Sequence, residues 1–142
     1  MGVDEEVGVA LKAKTIAVVG VSRDESKESS MVAAYLQSKG YRVIPVNPSA
    51  RQLLGEKCFS SLVDLPGALQ EKVEVVLVFR PAAEISGVLR DCLSMSACGY
   101  GKRVFWTQSG IPISPSDEKR ARRAGLLVVQ DRCMRVEREK PA

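Results

Sequence analysis

The stretch Thr15-Ile-Ala-Val-Val-Gly20-Val-Ser22-Arg-Asp-Glu-Ser-Lys27 decides the fold of this chain. An apolar run that ends in a glycine and leads into a helix is how a doubly wound α/β domain presents backbone N–H groups to a phosphate. The dinucleotide fingerprint needs two further glycines, but Ser22 and Glu25 occupy those positions. The loop is also longer than the fingerprint turn and carries Arg23 and Lys27. These residues predict a phosphate site on a Rossmann-type scaffold that differs from an ordinary NAD site.

The rest of the chain alternates predicted strands and helices. Apolar runs bounded by turn residues predict five strands, at 15–20, 41–46, 73–79, 103–107 and 126–129. Helices are expected between them, with start signals at Ser29 or Ser30, Pro81 and Ser114. This alternation predicts an α/β fold, a doubly wound parallel five-stranded sheet with helices on both faces. We expect the strand order 3-2-1-4-5, which places the ligand between strands one and four.

Length and composition are those of an ordinary globular chain. With 142 residues, 45% of them hydrophobic, the chain is long enough for one domain spanning 1–142, with its core at about 12–137. The first residues are mixed and acidic, and no apolar run approaches the ~20 residues of a membrane span. We therefore expect a cytoplasmic protein with no membrane partner. The net charge is +4, and few aromatic residues lie among the basic ones, so a nucleic-acid partner is not expected.

The histidine and cysteine content limits the kinds of catalytic and metal site that the chain can form. The chain contains no histidine, which removes Ser–His and Cys–His pairs, phosphohistidine and histidine-ligated metals. The four cysteines, Cys58, Cys92, Cys98 and Cys133, form no C-x-x-C pair and fit no zinc module. We expect no metal site and assign no catalytic residue. Inert buried thiols are the preferred interpretation, and a reactive Cys133 or Cys98 stays open.

Small and polar residues follow four of the predicted strands. The clusters are Gly20-Val21-Ser22, Val46-Asn47-Pro48, Phe79-Arg80-Pro81 and Thr107-Gln108-Ser109-Gly110. Because the carboxyl ends of parallel strands share one edge of a sheet, the clusters should converge on one crevice. Ser22 and the free N–H groups can hold a phosphate, while Lys27 or Arg80 neutralises further charge.

The end of the second strand discriminates between nucleotide ligands. An NAD site uses Asp or Glu there to bind the ribose hydroxyls, whereas this chain has Asn47-Pro48 with Arg51 as the nearest charge. A neutral-to-basic strand end suits a ribose that itself carries a phosphate. NADP and coenzyme A (CoA) remain as candidates.

Three segments carry a resemblance to a known family: Ile16–Ser22, the run Gly-Tyr-x-Val-x-Pro-Val-Asn-Pro at 40–48, and Asp131-Arg132-Cys133. The chain resembles the small stand-alone CoA-binding proteins, whose Rossmann-like domain also occurs in the alpha subunit of succinyl-CoA synthetase and in NDP-forming acyl-CoA synthetases. The resemblance covers about residues 12–137. It departs at Ser29, where the family often has proline, and at 94–102, which is longer and glycine-rich here.

Carried over position by position, the resemblance implies a set of CoA-binding residues. Gly20, Val21 and Ser22 would meet the diphosphate region, with Lys27 also facing phosphate. Val46, Asn47 and Pro48 would flank the adenosine half. Phe79 and Arg80 would border the adenine or the pantetheine path, and Gln108 would lie near the pantetheine exit.

Two functions remain open. The larger relatives perform ligase chemistry with a phosphohistidine and further domains, and this chain has no histidine. We therefore favour a non-catalytic binding or regulatory module for CoA or an acyl-CoA over an enzyme. The alternative is an NADP-binding oxidoreductase or redox regulator. The expected partner is a small nucleotide ligand, and a homodimer or an unidentified protein partner stays open.

Overall fold

The computed structural model describes residues 1–141, so Ala142, the last residue of the predicted domain, lies outside the described part. The helices are α1 (Val3–Leu11), α2 (Glu28–Ser38), α3 (Gly67–Gln70), α4 (Ile85–Ser94), α5 (Pro115–Arg123) and α6 (Met134–Glu139). The strands are β1 (Thr15–Val19), β2 (Arg42–Val46), β3 (Gln52–Leu53), β4 (Glu56–Lys57), β5 (Val75–Val78), β6 (Val104–Thr107) and β7 (Leu127–Val129). Short 3₁₀ turns at Leu62–Asp64 and Ala82–Glu84 precede α3 and α4.

Five of these strands form a parallel sheet, which confirms the predicted α/β, Rossmann-like class. Its order is β2-β1-β5-β6-β7, while β3 and β4 form a separate antiparallel hairpin. The five predicted strands correspond to β1, β2, β5, β6 and β7, so the observed order reads 2-1-3-4-5 in the numbering of the prediction. The expected order 3-2-1-4-5 placed the third strand outside the second, whereas β5 pairs with β1 and β6. The switch point therefore lies between β1 and β5.

Pro45 explains why β2 is an edge strand. Its carbonyl points away from β1 and accepts a 3.1 Å hydrogen bond from the N–H of Phe59, so the position of its missing N–H also faces outward. In a central strand the same proline would interrupt a ladder of hydrogen bonds. By contrast, Val75–Val78 are fully buried, as the two covered faces of a central strand require.

Helices cover both faces of the sheet, as predicted. One face packs against α1, α2 and α6, and its core includes Ile16, Leu36, Trp106 and Met134. The other packs against α4 and α5, with a core that includes Ile85, Leu89 and Phe105. Within residues 1–141, no helix combines the length and apolar character needed to cross a membrane.

The amino-terminal helix α1, which the sequence analysis did not predict, is fixed by a buried carboxylate. Glu6 is 1% exposed and accepts hydrogen bonds from Arg122 at 2.8 and 3.1 Å. It also accepts one at 3.1 Å from the N–H of Val128. Burial raises the pKa of Glu6, but the hydrogen bonds and charge of Arg122 and the bond from Val128 outweigh it, so the net pKa is lowered.

Candidate functional site

A cleft opens at the switch point, at the carboxyl ends of β1, β2 and β5. It encloses about 190 Å³ and is lined by Val19, Gly20, Val46, Asn47, Pro48, Ser60, Ser61, Leu62, Arg80, Glu84, Val88 and Asp91. The structure thus brings together five predicted site residues, Gly20, Val46, Asn47, Pro48 and Arg80. Clefts that enclose a whole drug-sized ligand measure about 300–1,000 Å³. This cleft therefore has room for one end of a longer ligand.

Gly20 permits the close approach of β1 to the end of β5. Its φ is +96°, a conformation that side chains rarely adopt. A Cβ there would lie 2.7 Å from Cδ of Arg80 and 3.0 Å from the carbonyl oxygen of Phe79. The N–H of Gly20 donates to the carbonyl of Val46 at 2.9 Å, which joins the ends of β1 and β2. Glycine is required here for both space and backbone conformation.

Asn47 fixes the loop after β1. Its amide nitrogen Nδ2 donates to the carbonyl of Val21 at 2.7 Å, and its Oδ1 accepts from the N–H of Ser49 at 2.7 Å. Val21 is fully buried, so it contributes its backbone to the site. The side chain of Asn47 is therefore committed to holding two loops together.

Hydrogen bonds of three serines fix the rest of the loop between β1 and α2. The N–H of Ser22 donates to Oγ of Ser29 at 2.9 Å, and Oγ of Ser22 accepts from the N–H of Asp24 at 3.0 Å. Hydrogen bonds from the hydroxyl and N–H of Ser26 lower the pKa of Asp24 and keep its carboxylate ionised. The loop is shaped by its own side chains before any ligand arrives.

The start of α2 offers N–H donors and an exposed cation. Lys27 is the exposed N-cap residue of this helix. The N–H groups of Glu28, Ser29 and Ser30 find no acceptor among residues 1–141. Unpaired N–H groups and the helix dipole favour an anion at such a position. The carboxylate of Glu28, which is also exposed, adds a negative charge beside them.

Arg80 is held by a neighbouring carboxylate. Its guanidinium donates to both oxygens of Glu84 at distances of 2.8 to 3.1 Å, and the two side chains are 42% and 48% exposed. Nη1 of Arg80 forms no bond to Glu84, so its two N–H donors can reach a phosphate while Glu84 offsets part of the positive charge. Sequence reasoning missed Glu84, although its position four residues after Arg80 is a signal for a helical ion pair.

Five of the ten predicted site residues do not line the cleft: Val21, Ser22 and Lys27, described above, and Phe79 and Gln108. Gln108 is 1% exposed, and its side chain bridges Oε1 of Glu28 and the N–H of Met134, both at 3.4 Å. Phe79 donates its N–H to the carbonyl of Val19 and packs against the core on the α2 face. Both residues connect elements around the site.

Larger depressions lie elsewhere on the surface. One of about 430 Å³ surrounds Lys14, Lys39 and Tyr41 at the amino edge of the sheet. Another of about 610 Å³ lies over the outer side of α2. Neither contains any of the ten predicted site residues, so the cleft at the switch point is the candidate site.

Comparison with known proteins now assigns the family. Residues 14–139 match the family model described as the CoA binding domain. The chain belongs to this family. This CoA-binding domain is 34% identical to the uncharacterized protein YneT of Bacillus subtilis over 125 residues, which are 88% of this chain and 85% of YneT.

Solved structures and larger enzymes show the same domain. The structure of the protein called cell-free ID.343 from Thermus thermophilus is 40% identical, with a TM-score of 0.81 and 96% of each chain covered. The ADP-forming acetate–CoA ligase II of Archaeoglobus fulgidus is 31% identical over 81 residues, 56% of this chain. That match takes in only 11% of the ligase, so the CoA-binding domain corresponds to a small part of the larger enzyme.

Proposed function

We propose that this CoA-binding domain, as a single domain, holds coenzyme A or an acyl-CoA at the carboxyl edge of its sheet and catalyses no reaction itself. The observation that carries the proposal is the cleft at the switch point, whose lining residue Asn47 is bonded to the loop that leads from β1 to α2. A relative named as an acetate–CoA ligase contains a similar segment within a much longer chain. That arrangement fits a module that binds the thioester carrier while other domains perform chemistry.

The adenosine half of the ligand fits the cleft best. Val19, Val46, Leu62 and Val88 give it apolar walls that suit a flat base. Hydroxyl groups of Ser60 and Ser61 lie at the same cleft, and both donate to Oδ2 of Asp64, at 2.8 and 3.1 Å. The volume of about 190 Å³ leaves the pantetheine arm outside.

The phosphate groups fit the rim between the β1 loop and α2. The free N–H groups of Glu28 to Ser30 supply donors there, and Lys27 supplies charge. Nη1 of Arg80, at the cleft, can bind a further phosphate while Nε and Nη2 stay on Glu84. This arrangement favours a ligand with several phosphate charges and gives the ribose hydroxyls no acidic residue directly after β2.

Calorimetric titration tests the ligand. We expect CoA to bind more tightly than dephospho-CoA because Arg80 and Lys27 face several phosphate charges. NAD and NADP serve as competitors, and tighter binding of NADP than of CoA would overturn the proposal. Lys27→Ala should weaken CoA binding, whereas Lys57→Ala, which removes an exposed lysine from the separate hairpin, should not.

Opposite effects at the Arg80–Glu84 pair provide a sharper test. Arg80→Ala should weaken CoA binding on the order of tenfold, the loss of one charge-assisted contact. Glu84→Gln should strengthen it several-fold, because the arginine is released and a negative charge beside the phosphates disappears. Weaker binding in both variants would show that the intact pair itself recognises the ligand.

A further inference from the structure

Helix α2 carries apolar residues on two opposite faces. Val32, Ala33 and Leu36 are buried in the core beneath it. Met31, Ala34 and Tyr35 follow the spacing of three and four residues that places side chains on one outward side. Met31 is 49% exposed there. A helix that is apolar on both sides is usually covered on both sides.

The β3–β4 hairpin extends this outward face. Leu54 lies beside it with a φ of +56°, in the left-handed region that favours glycine or asparagine at a turn. Nε2 of Gln37 donates to the carbonyl of Leu54 at 3.0 Å and ties the hairpin to α2. Leu54, Met31, Ala34 and Tyr35 together line an open groove of about 610 Å³. Leu54 and Gly55 are the two central residues of this hairpin turn, which requires a positive φ at both, so the turn accounts for the conformation of Leu54.

Opposite charges occupy the groove lining beside these apolar residues. Glu25 precedes α2, is exposed and forms no ion pair within residues 1–141. Arg135 lies over the ring of Tyr35, near the other end of the helix, with 4.9 Å between its guanidinium carbon and the ring centroid. Its contact with Glu139 is long, at 3.5 Å. The face therefore runs from a negative to a positive end across an apolar centre.

We propose that two copies of this chain pair through this outer face of α2, about a two-fold axis near Met31 and Ala34. A two-fold contact sets the same surface against itself in reverse direction, so Glu25 of each copy meets Arg135 of the partner subunit. Met31 and Leu54 of both copies fill the centre. The small side chain of Ala34 lets the two helices approach closely.

The pairing also brings the second copy next to the proposed ligand site. Ser30 and Glu25 line the groove and flank the N–H donors at the start of α2. The groove lining comes from one helix, a short hairpin and Arg135, so we expect a weak dimer with a dissociation constant on the order of micromolar. It requires no CoA, and its test is therefore independent of the proposed function.

Sedimentation velocity over a concentration series tests the proposal. The wild-type chain should pass from monomer to dimer as concentration rises. Met31→Lys should raise the dissociation constant at least about tenfold, as expected for a charge placed at the centre of an interface. Val63→Lys alters an apolar residue that is 45% exposed on the opposite face of the sheet, and it should leave the dimer unchanged. A wild-type chain that stays monomeric at every concentration would overturn the proposal.

Charge reversal identifies the partner as a second copy. Glu25→Arg and Arg135→Glu should each weaken the dimer, because each places like charges opposite one another. The doubly reversed chain should regain it, since both pairs re-form with exchanged signs. Circular dichroism of each variant excludes loss of folding as the cause. If the double variant dimerises no better than the single ones, α2 does not pair in this way.

Discussion

At the scale of single residues, Gly20 carries the closest contact of the site. Gly20→Ala should destabilise the chain by about 1–3 kcal/mol, because the alanine is strained at a φ of +96° and its Cβ meets Arg80 and the backbone of Phe79. Urea denaturation measures the change. Gly40→Ala is the matched control, since Gly40 has a φ of +94° with no atom within 4 Å of an added Cβ. Equal costs in both variants would mean that the contact with β5 is unimportant.

The four cysteines should differ in reactivity according to burial. Burial raises the pKa of Cys92 to about 12, and it also raises the pKa of Cys58. Cys98 and Cys133 are only partly buried. Alkylation with iodoacetamide at pH 8, followed by peptide mass spectrometry, should therefore modify Cys98 and Cys133 well before Cys92. Early modification of Cys92 would indicate that α4 separates readily from the sheet.

The sequence predicted only part of the site. Whether a site residue could be predicted depends on whether it follows a strand or lies on a helix. Gly20, Asn47 and Arg80 could be predicted because each directly follows a strand, and the carboxyl ends of parallel strands lie at one edge of the sheet. Glu84 and Asp91 come from the start and interior of a helix, whose rotation relative to the sheet a strand pattern does not determine. Gln108 also follows a strand, but its side chain is buried between α2 and α6. It donates to the carboxylate of Glu28 and accepts from the N–H of Met134.

At the scale of elements, the sequence predicted the strands but not their order in the sheet. Hydrophobic patterns identified all five strands of the sheet, and Ser114 caps α5 as predicted by accepting the N–H of Asp117. Patterns along the chain do not state which strands are neighbours. Pro45 is the residue that could have shown it, because a strand with an internal proline is usually at an edge. Helix α1 was missed because its contact with β7 depends on Glu6, a charged residue that patterns assign to the surface.

Glu6 should control how firmly α1 is attached. Glu6→Gln should cost about 1–3 kcal/mol, because the amide cannot replace a carboxylate that accepts three N–H donors. Glu118→Gln, which alters the more exposed partner of the same Arg122, should cost less than about 1 kcal/mol. Denaturation of both variants at pH 7 measures the difference. Similar losses of stability in the two variants would mean that the ion pair of Arg122 with Glu118 contributes as much as the buried contact with Glu6.

The free energy of unfolding at acidic pH should depend on the same carboxylate, Glu6. The folded pKa of Glu6 lies below its ordinary value of 4.5, so its contribution is present above about pH 4.5 and is lost as pH falls through the folded pKa. Stability of the wild-type chain should therefore fall with acidification in this range. The Glu6→Gln variant should show a flatter profile there, and a parallel decline of both curves would contradict the assignment.

At the scale of the whole molecule, ligand binding should raise the melting temperature. CoA that binds only the folded chain stabilises it by about 2.7 kcal/mol at a hundredfold excess over the dissociation constant. Differential scanning calorimetry with CoA and dephospho-CoA measures this, and the shift should be smaller for dephospho-CoA. The shift should persist in Met31→Lys, because the site lies within one copy. No shift at saturating CoA would argue against binding.

The carboxylate of Glu6 also covers part of an edge of the sheet. An open edge strand offers unpaired N–H groups on which another extended segment can add, and such addition leads to aggregation. Glu6 occupies the N–H of Val128 on β7, while Pro45 offers none on β2 at the other edge. Each edge strand therefore has one outward backbone position at which another strand cannot find a free N–H. The protection at β7 therefore comes from a helix that precedes the residues matching the family model.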